Sequence, residues 1–320
     1  MYGFPPAADA QVTLANWRTS PFNHWAFHHV REIVPSADIP NDPATAHDLG
    51  ASPRDLSAVG IDELFQATNT DGLVIVHRAR IVYERYANGM TPDHPHILMS
   101  VSKSLLGLLA GALIPRGDLE PDRRVTDVVP EMAGTAYEGA TIRHLLDMRA
   151  GIGFDEDYLA TSGAIVAYRK AANWNPPAPG DAPSDLRSFY RELTESSGRH
   201  GGPVHYVSPN TDLLGWVIER ATGRRYADLM SELLWKPIGA AHSAYITVDR
   251  LGAPRCAGGV CATVGDLARV GQLLVQGGRV RKRADRSGEL DRRHHAQRRS
   301  RRLGCRRPCC VLSRPAAPLS

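Results

Sequence analysis

The stretch from Ile97 to Ile114 constrains this chain more than any other. It follows Pro95, is rich in Leu, Ala and Gly, and is apolar around most of its circumference. A helix lying on a protein surface shows one apolar stripe, so a helix apolar on nearly all sides belongs inside. A chain of 320 residues, 42% of them hydrophobic, is long enough to build a core around it. Ser100 and Lys103 fall in its first two turns.

That placement has chemical content. A serine hydroxyl is a poor nucleophile until a neighbouring base takes its proton. A lysine three residues further along a helix lies on the same face, one turn on, within reach of that hydroxyl. Burial lowers a lysine's pKa, so the neutral amine can accept the proton. The helix N-terminus adds backbone N–H groups and a positive dipole end beside any oxyanion that forms.

Around this helix the pattern predicts a mixed fold. Leu73–Val76 and Ile81–Tyr86 are β-branched and aromatic runs separated by the polar turn His77-Arg78-Ala79-Arg80, which reads as an antiparallel hairpin. Asp122–Pro130 and Thr141–Met148 read as short helices, and Ser162–Asp185 as a loop containing Gly, Ala and Pro. Asp212–Ala221 has helical periodicity and stops at Gly223. Tyr226–Trp235 ends before Pro237, and Asp266–Val275 before Gly277-Gly278. The first 59 residues mix Pro, Asn and Asp with Trp17, Phe22, Trp25 and Phe27, and predict an irregular arm packed on a domain of residues 60–278. His24, His28 and His29 in that arm have no matching Cys, Asp or Glu grouping, so no metal is expected, and serine acylation calls for no organic cofactor either.

Net charge is +4, but its distribution is lopsided. Residues 279–320 hold thirteen Arg and one Lys against three acidic residues, giving +11 and leaving −7 for the body. The five cysteines all lie at or beyond Cys256, so no disulfide framework is written into the body. Met1–Ala10 has neither the basic start nor the apolar run of a secretory signal, and no stretch reaches the roughly 18 apolar residues of a membrane span. A cytoplasmic protein with no membrane partner is the expectation.

Five blocks in order then carry a resemblance: Ile97–Leu105 around Ser100-Val101-Ser102-Lys103, Gly117–Asp122 with Val125, Thr141–Met148 with Ala150-Gly151-Ile152, Tyr206-Val207-Ser208-Pro209-Asn210 with Leu213-Leu214-Gly215, and Gly258-Gly259-Val260 with Asp266–Arg269. Together they resemble the serine β-lactamase-like, penicillin-recognising hydrolases. The resemblance implies an α+β fold, an antiparallel sheet flanked by helices plus a helical lobe. It also implies an acyl-enzyme on Ser100, Lys103 as its base, Tyr206 as a proton relay and Ser208 in support, acting on a small ester or amide. It leaves a homodimer open.

Within that superfamily the chain resembles the 6-aminohexanoate-dimer (nylon-oligomer) hydrolases, through Asn23–Phe27 with Glu32–Ser36, and through Glu156-Asp157-Tyr158 with Trp174. The resemblance implies that Tyr158 rides a loop closing over substrate and that Trp174 lines the pocket. Where efficient members carry an acidic residue that holds the substrate's amino end, this chain has Arg169. A cation there repels an ammonium group, which favours carboxylesterase activity over cleavage of an amino-terminated amide.

The resemblance covers residues of about 15 to 280 and ends near Gly278. The family's remaining strands, one with a Lys-Thr-Gly or His-Gly type motif that supplies an oxyanion donor, are not legible beyond it, so the C-terminal strands are expected to be missing. Loss of one such donor typically costs about 10²- to 10³-fold in rate, which would make the chain an impaired remnant of its family. Residues 279–320, rich in Arg, Pro, Ala and Cys without periodicity, cannot bury enough surface to fold and read as a segment translated in a shifted frame. The competing reading is a polybasic arm that binds nucleic-acid phosphates, which gives no reason for missing strands.

Overall fold

The computed structural model describes residues 3–279. From the N-terminus the chain forms the single turn α1 (Asn23–Ala26), strand β1 (Ser36–Ile39), helix α2 (Ile61–Thr68), the hairpin β2 (Gly72–His77) and β3 (Arg80–Tyr86), and the short strand β4 (His96–Ile97). The long helix α3 (Val101–Leu113) follows, then α4 (Val125–Val128), α5 (Ile142–Leu146), α6 (Ala164–Ala171) and α7 (Leu186–Glu192). After these come α8 (Ser208–Thr222), α9 (Tyr226–Met230), strands β5 (Ala244–Thr247) and β6 (Val260–Ala262), and α10 (Val264–Val275).

The sheet that positions the site has the order β1-β5-β6-β4, every neighbouring pair antiparallel. Its last strand explains a difference from expectation. The apolar run begins as strand, not helix: His96 and Ile97 pair with Ala262 and Cys261, and α3 starts only at Val101. Ile97 is shared between a sheet edge and an apolar run, and periodicity alone cannot separate the two. Between them Met99 takes a left-handed φ of 44°, an unfavourable conformation for a side chain with a Cβ, and so turns the chain sharply at the foot of the helix. Leu98 N–H donates to Val260 O at 2.8 Å and Val260 N–H to Ser102 Oγ at 3.1 Å, which clamp this turn to β6.

α3 is held by burial. Leu105, Leu106, Leu109 and Leu113 are each at most 1% exposed, and a fully buried leucine contributes about 1.5–3 kcal/mol over an exposed one. The helical lobe packs around it through α8, whose residues from Ser208 to Ile218 are all buried and which stops at Gly223 in the left-handed conformation. α5 is fastened by a capping box, Thr141 accepting from His144 N–H while the His144 ring accepts from Thr141 N–H.

The hairpin appears where the sequence puts it, but it forms a two-stranded sheet of its own. Its turn is made by Arg78 and Ala79, both at positive φ (52° and 60°), the geometry that suits the twist of a tight hairpin, here without the usual Asn-Gly. Residues 1–59, expected as an irregular arm, supply β1, which pairs with β5 over Ser36–Ile39. Trp17 is fully buried and donates its indole N–H to Trp174 O at 3.0 Å. The span 162–185, expected as a loop, contains α6, and α7 was not anticipated at all. The helix expected over Tyr226–Trp235 is α-helical to Met230 and widens into a π-turn over Ser231–Trp235. The expected loss of C-terminal strands, and both readings of residues 279–320, concern positions essentially outside the described residues. Among the described residues no helix is long and apolar enough to cross a membrane.

Candidate active site

Ser100 is the residue immediately before α3, exposed, with its hydroxyl 3.1 Å from Lys103 Nζ. The i to i+3 spacing of a helix accounts for this directly. Lys103 Nζ also donates to Ala257 O at 2.7 Å, and it stands 5.0 Å from the centre of the Tyr206 ring. Lys103 is half-buried rather than enclosed. Among the described residues the Ser100 N–H has no acceptor, and at the start of α3 it is one of the helix's unpaired donors, available to an oxyanion.

Tyr206 lies two residues ahead of α8, 47% exposed, with no hydrogen-bond partner for its hydroxyl among the described residues. Ser208 is the first residue of α8 and is buried. Its N–H and its hydroxyl both donate to the Glu156 carboxylate. Tyr158 also donates to Glu156, at 2.9 Å, so one carboxylate joins the Tyr158 loop to the helix that follows Tyr206. Partial desolvation, then the bond to Glu156, holds the Tyr158 phenol above its ordinary range and keeps it a neutral donor.

Trp174 is buried, with its indole N–H on Thr247 Oγ1 at 3.2 Å and its ring 5.4 Å from that of Trp17 in an edge-to-face arrangement. Gly258 makes this possible: a Cβ there would come within 3.0 Å of the Trp174 ring. The indole therefore sits directly beneath the turn that supplies Ala257 to Lys103.

Arg169 departs from the expected picture of a cation facing the substrate. It is buried and donates to the carbonyls of Tyr158 at 2.9 Å, Ala160 at 3.3 Å and Asp157 at 3.4 Å. A guanidinium has five N–H donors in a fixed fork, and here main-chain oxygens of the Tyr158 loop take three of them. Its charge still reaches its neighbours: burial, then Arg169 and Arg255, pull Arg18 down to about 10.

Several participants escaped the sequence reading. Asp212, on the second turn of α8, accepts from Ala257 N–H at 2.6 Å through one oxygen, and from Tyr168 and Arg255 through the other. Arg255 lies 4.9 Å from the Trp174 ring centre. An aspartate directly ahead of the apolar run Leu213–Ile218 was a signal that could have marked Asp212; nothing in the sequence marks Arg255. Among the described residues no group of three or more His, Cys, Asp or Glu is placed to hold a metal ion; His28 stacks on His94, and His29 meets both rings at a tilt.

A β-lactamase-like α+β fold with a serine and a lysine one turn apart at the start of its central helix defines a class of serine hydrolases. The chain belongs to the Beta-lactamase family, whose profile matches residues 61–304. It is 38% identical over 280 residues to the 6-aminohexanoate-dimer hydrolase of Paenarthrobacter ureafaciens, across 86% of this chain and 70% of that protein. It is 29% identical over 191 residues to esterase EstB of Burkholderia gladioli, across 56% of this chain and 45% of that protein. Among solved structures it is similar to a Bacillus anthracis protein assigned as a 6-aminohexanoate-dimer hydrolase, with a TM-score of 0.78, 26% identity, and coverage of 86% of this chain and 74% of that one.

Proposed function

We propose that this chain hydrolyses small esters or amides through an acyl-enzyme on Ser100. The observation that carries the reading is the 3.1 Å separation of Ser100 Oγ and Lys103 Nζ beside the Tyr206 ring. In the first step Ser100 Oγ attacks the substrate carbonyl carbon while its proton passes to the neutral Lys103 amine. The Ser100 N–H takes up the charge on the carbonyl oxygen. Collapse of the tetrahedral adduct expels the alcohol or amine, which takes the proton through Tyr206. Water then attacks the acyl carbon with the same groups as base, and the acid leaves with Ser100 restored.

Tyr158, Trp174 and Ser208 are proposed to shape the substrate site, with Ser208 acting through Glu156. Arg18, 5.8 Å from the Trp174 ring centre, and Arg169, close enough to depress the Arg18 pKa, are cations on this side of the site that oppose a substrate ending in an ammonium group, whereas the charge of Arg255 is offset by Asp212. Esters of short acyl groups are accordingly the better substrates. The same proposal covers a cytoplasmic enzyme built as residues 1–59 on a domain of residues 60–278, with a small molecule and not nucleic acid as its partner.

Hydrolysis of p-nitrophenyl acetate and of the 6-aminohexanoate dimer, by wild type and by Ser100→Ala, tests this. Turnover of the ester by wild type alone, and a higher kcat/KM for the ester than for the dimer, are expected. Equal or better turnover of the dimer would contradict the preference for esters, and equal activity of Ser100→Ala would remove the nucleophile.

A further inference from the structure

One peptide group joins a buried carboxylate to Lys103. The Ala257 N–H donates to Asp212 Oδ1 at 2.6 Å, and the Ala257 carbonyl accepts from Lys103 Nζ at 2.7 Å. The same Nζ stands 3.1 Å from Ser100 Oγ. A carboxylate bound at a peptide's N–H polarises that peptide and makes its carbonyl oxygen a stronger acceptor. Asp212 is 2% exposed, so water does little to screen this. α8 therefore supports Lys103 twice, with Tyr206 just ahead of its first turn and Asp212 on its second.

We propose that Asp212 is a positioning residue for the serine–lysine pair: through the Ala257 peptide it fixes where the Lys103 amine stands and how firmly that amine holds a proton. This rests on the reading of Ser100 and Lys103 above and deepens it.

Every group around the carboxylate fits this role. Arg255, 6% exposed, and the Tyr168 hydroxyl both bind its second oxygen, which leaves the first to Ala257. Tyr137, Tyr190, Tyr226 and Cys256 surround it, and burial pushes their phenols and thiol, like that of Tyr168, well above their ordinary ranges. All five stay neutral at working pH; burial raises the Asp212 carboxyl, and Arg255, the Tyr168 hydroxyl and the Ala257 N–H pull it back toward the charged form, so the Asp212–Arg255 pair is what Lys103 meets from this side. On its other side are the Ser100 hydroxyl and the Tyr206 ring.

The test is the pH dependence of kcat/KM for a short p-nitrophenyl ester, in wild type, Asp212→Asn and Tyr168→Phe. Because Lys103 must be neutral to take the Ser100 proton, kcat/KM rises with pH through its titration. Asn at 212 keeps an oxygen for the Ala257 N–H but removes the charge. The ammonium is then less stabilised, and the rising limb moves to lower pH by about half to one unit, with kcat reduced and KM little changed. Tyr168→Phe removes one donor from the carboxylate and turns more of its charge toward Ala257. Its limb moves the opposite way by a smaller amount, and this variant carries the test should Asp212→Asn fail to fold. Rising limbs that coincide with wild type in every variant that folds, even with a lowered plateau, overturn the proposal and leave Asp212 a structural residue. A folded wild type with neither esterase activity nor labelling at Ser100 counts against the reading of Ser100 itself, so the two failures are distinguishable.

Discussion

Glu156 holds Ser208 by both its backbone N–H and its hydroxyl, a two-point grip on the first residue of α8. Tyr206 is two residues away, so this grip sets where the phenol can stand beside Lys103. Glu156→Gln keeps the shape but offers one acceptor oxygen where three donors arrive, the two of Ser208 and the Tyr158 hydroxyl. It is expected to lower kcat/KM on the order of 10-fold, since a hydrogen bond to a charged group contributes about 1.5–3 kcal/mol and a small misplacement of a reacting group is costly. Steady-state kinetics with a p-nitrophenyl ester check this; unchanged kinetics would show that Tyr206 is placed by other contacts.

Lys103→Met removes the base while leaving an unbranched side chain of similar length. Among the described residues no carboxylate pairs directly with Lys103, so no charge is left unpaired, but the buried Ala257 carbonyl loses its donor and a stability cost of about 1–3 kcal/mol is expected. The rate should fall on the order of 10²- to 10⁴-fold, the usual contribution of a positioned base. Thermal melting and esterase assays on the same preparation separate the two effects. Loss of activity together with loss of folding would make Lys103 structural.

Trp174 links the N-terminal residues, the β5 strand and the turn above Lys103 through Trp17, Thr247 and Gly258. Trp174→Ala empties that junction and should cost about 3–5 kcal/mol. Urea denaturation measures this, and a cost below about 1 kcal/mol would mean the junction collapses around the gap.

His28 predicts a pH effect on stability. Burial first, then the neighbouring His29, lowers its pKa, and its Nδ1 is buried with no partner among the described residues. With a folded pKa below the unfolded value near 6.5, the unfolded chain binds the extra proton first on acidification. The stability this residue contributes is complete above about pH 6.5 and is lost as pH falls from there through the folded pKa. His28→Gln, whose side-chain amide can still donate to Asn88 O, should melt less steeply with falling pH than wild type between pH 8 and 5. Parallel curves would contradict it.

What the sequence made legible was local. Ser100 and Lys103 meet through one helical turn, β2 and β3 through a four-residue turn, and α8 ends at a glycine that any periodicity analysis would mark. Contacts between Asp212, Arg255 and Ala257 span more than forty residues and exist only because α8 and the β5–β6 connection pack together. No spacing rule reaches them. α6 was hidden because Ala, Gly and Pro around it dilute the apolar period, and β1 because four residues at a sheet edge carry too little pattern to read. Arg169 shows the limit of reading a charge by type: its position follows the resemblance, but three of its donors are taken by the carbonyls of the Tyr158 loop.

Whether Ser100 is a live nucleophile activated by Lys103 can be read by covalent capture. Wild type and Ser100→Ala are treated with a fluorophosphonate probe, and the adduct is mapped by peptide mass spectrometry. One adduct per wild-type chain is expected, on the peptide containing Ser100, and none on Ser100→Ala. A folded wild type that takes no label, or equal labelling of both proteins at another residue, would contradict a nucleophilic Ser100.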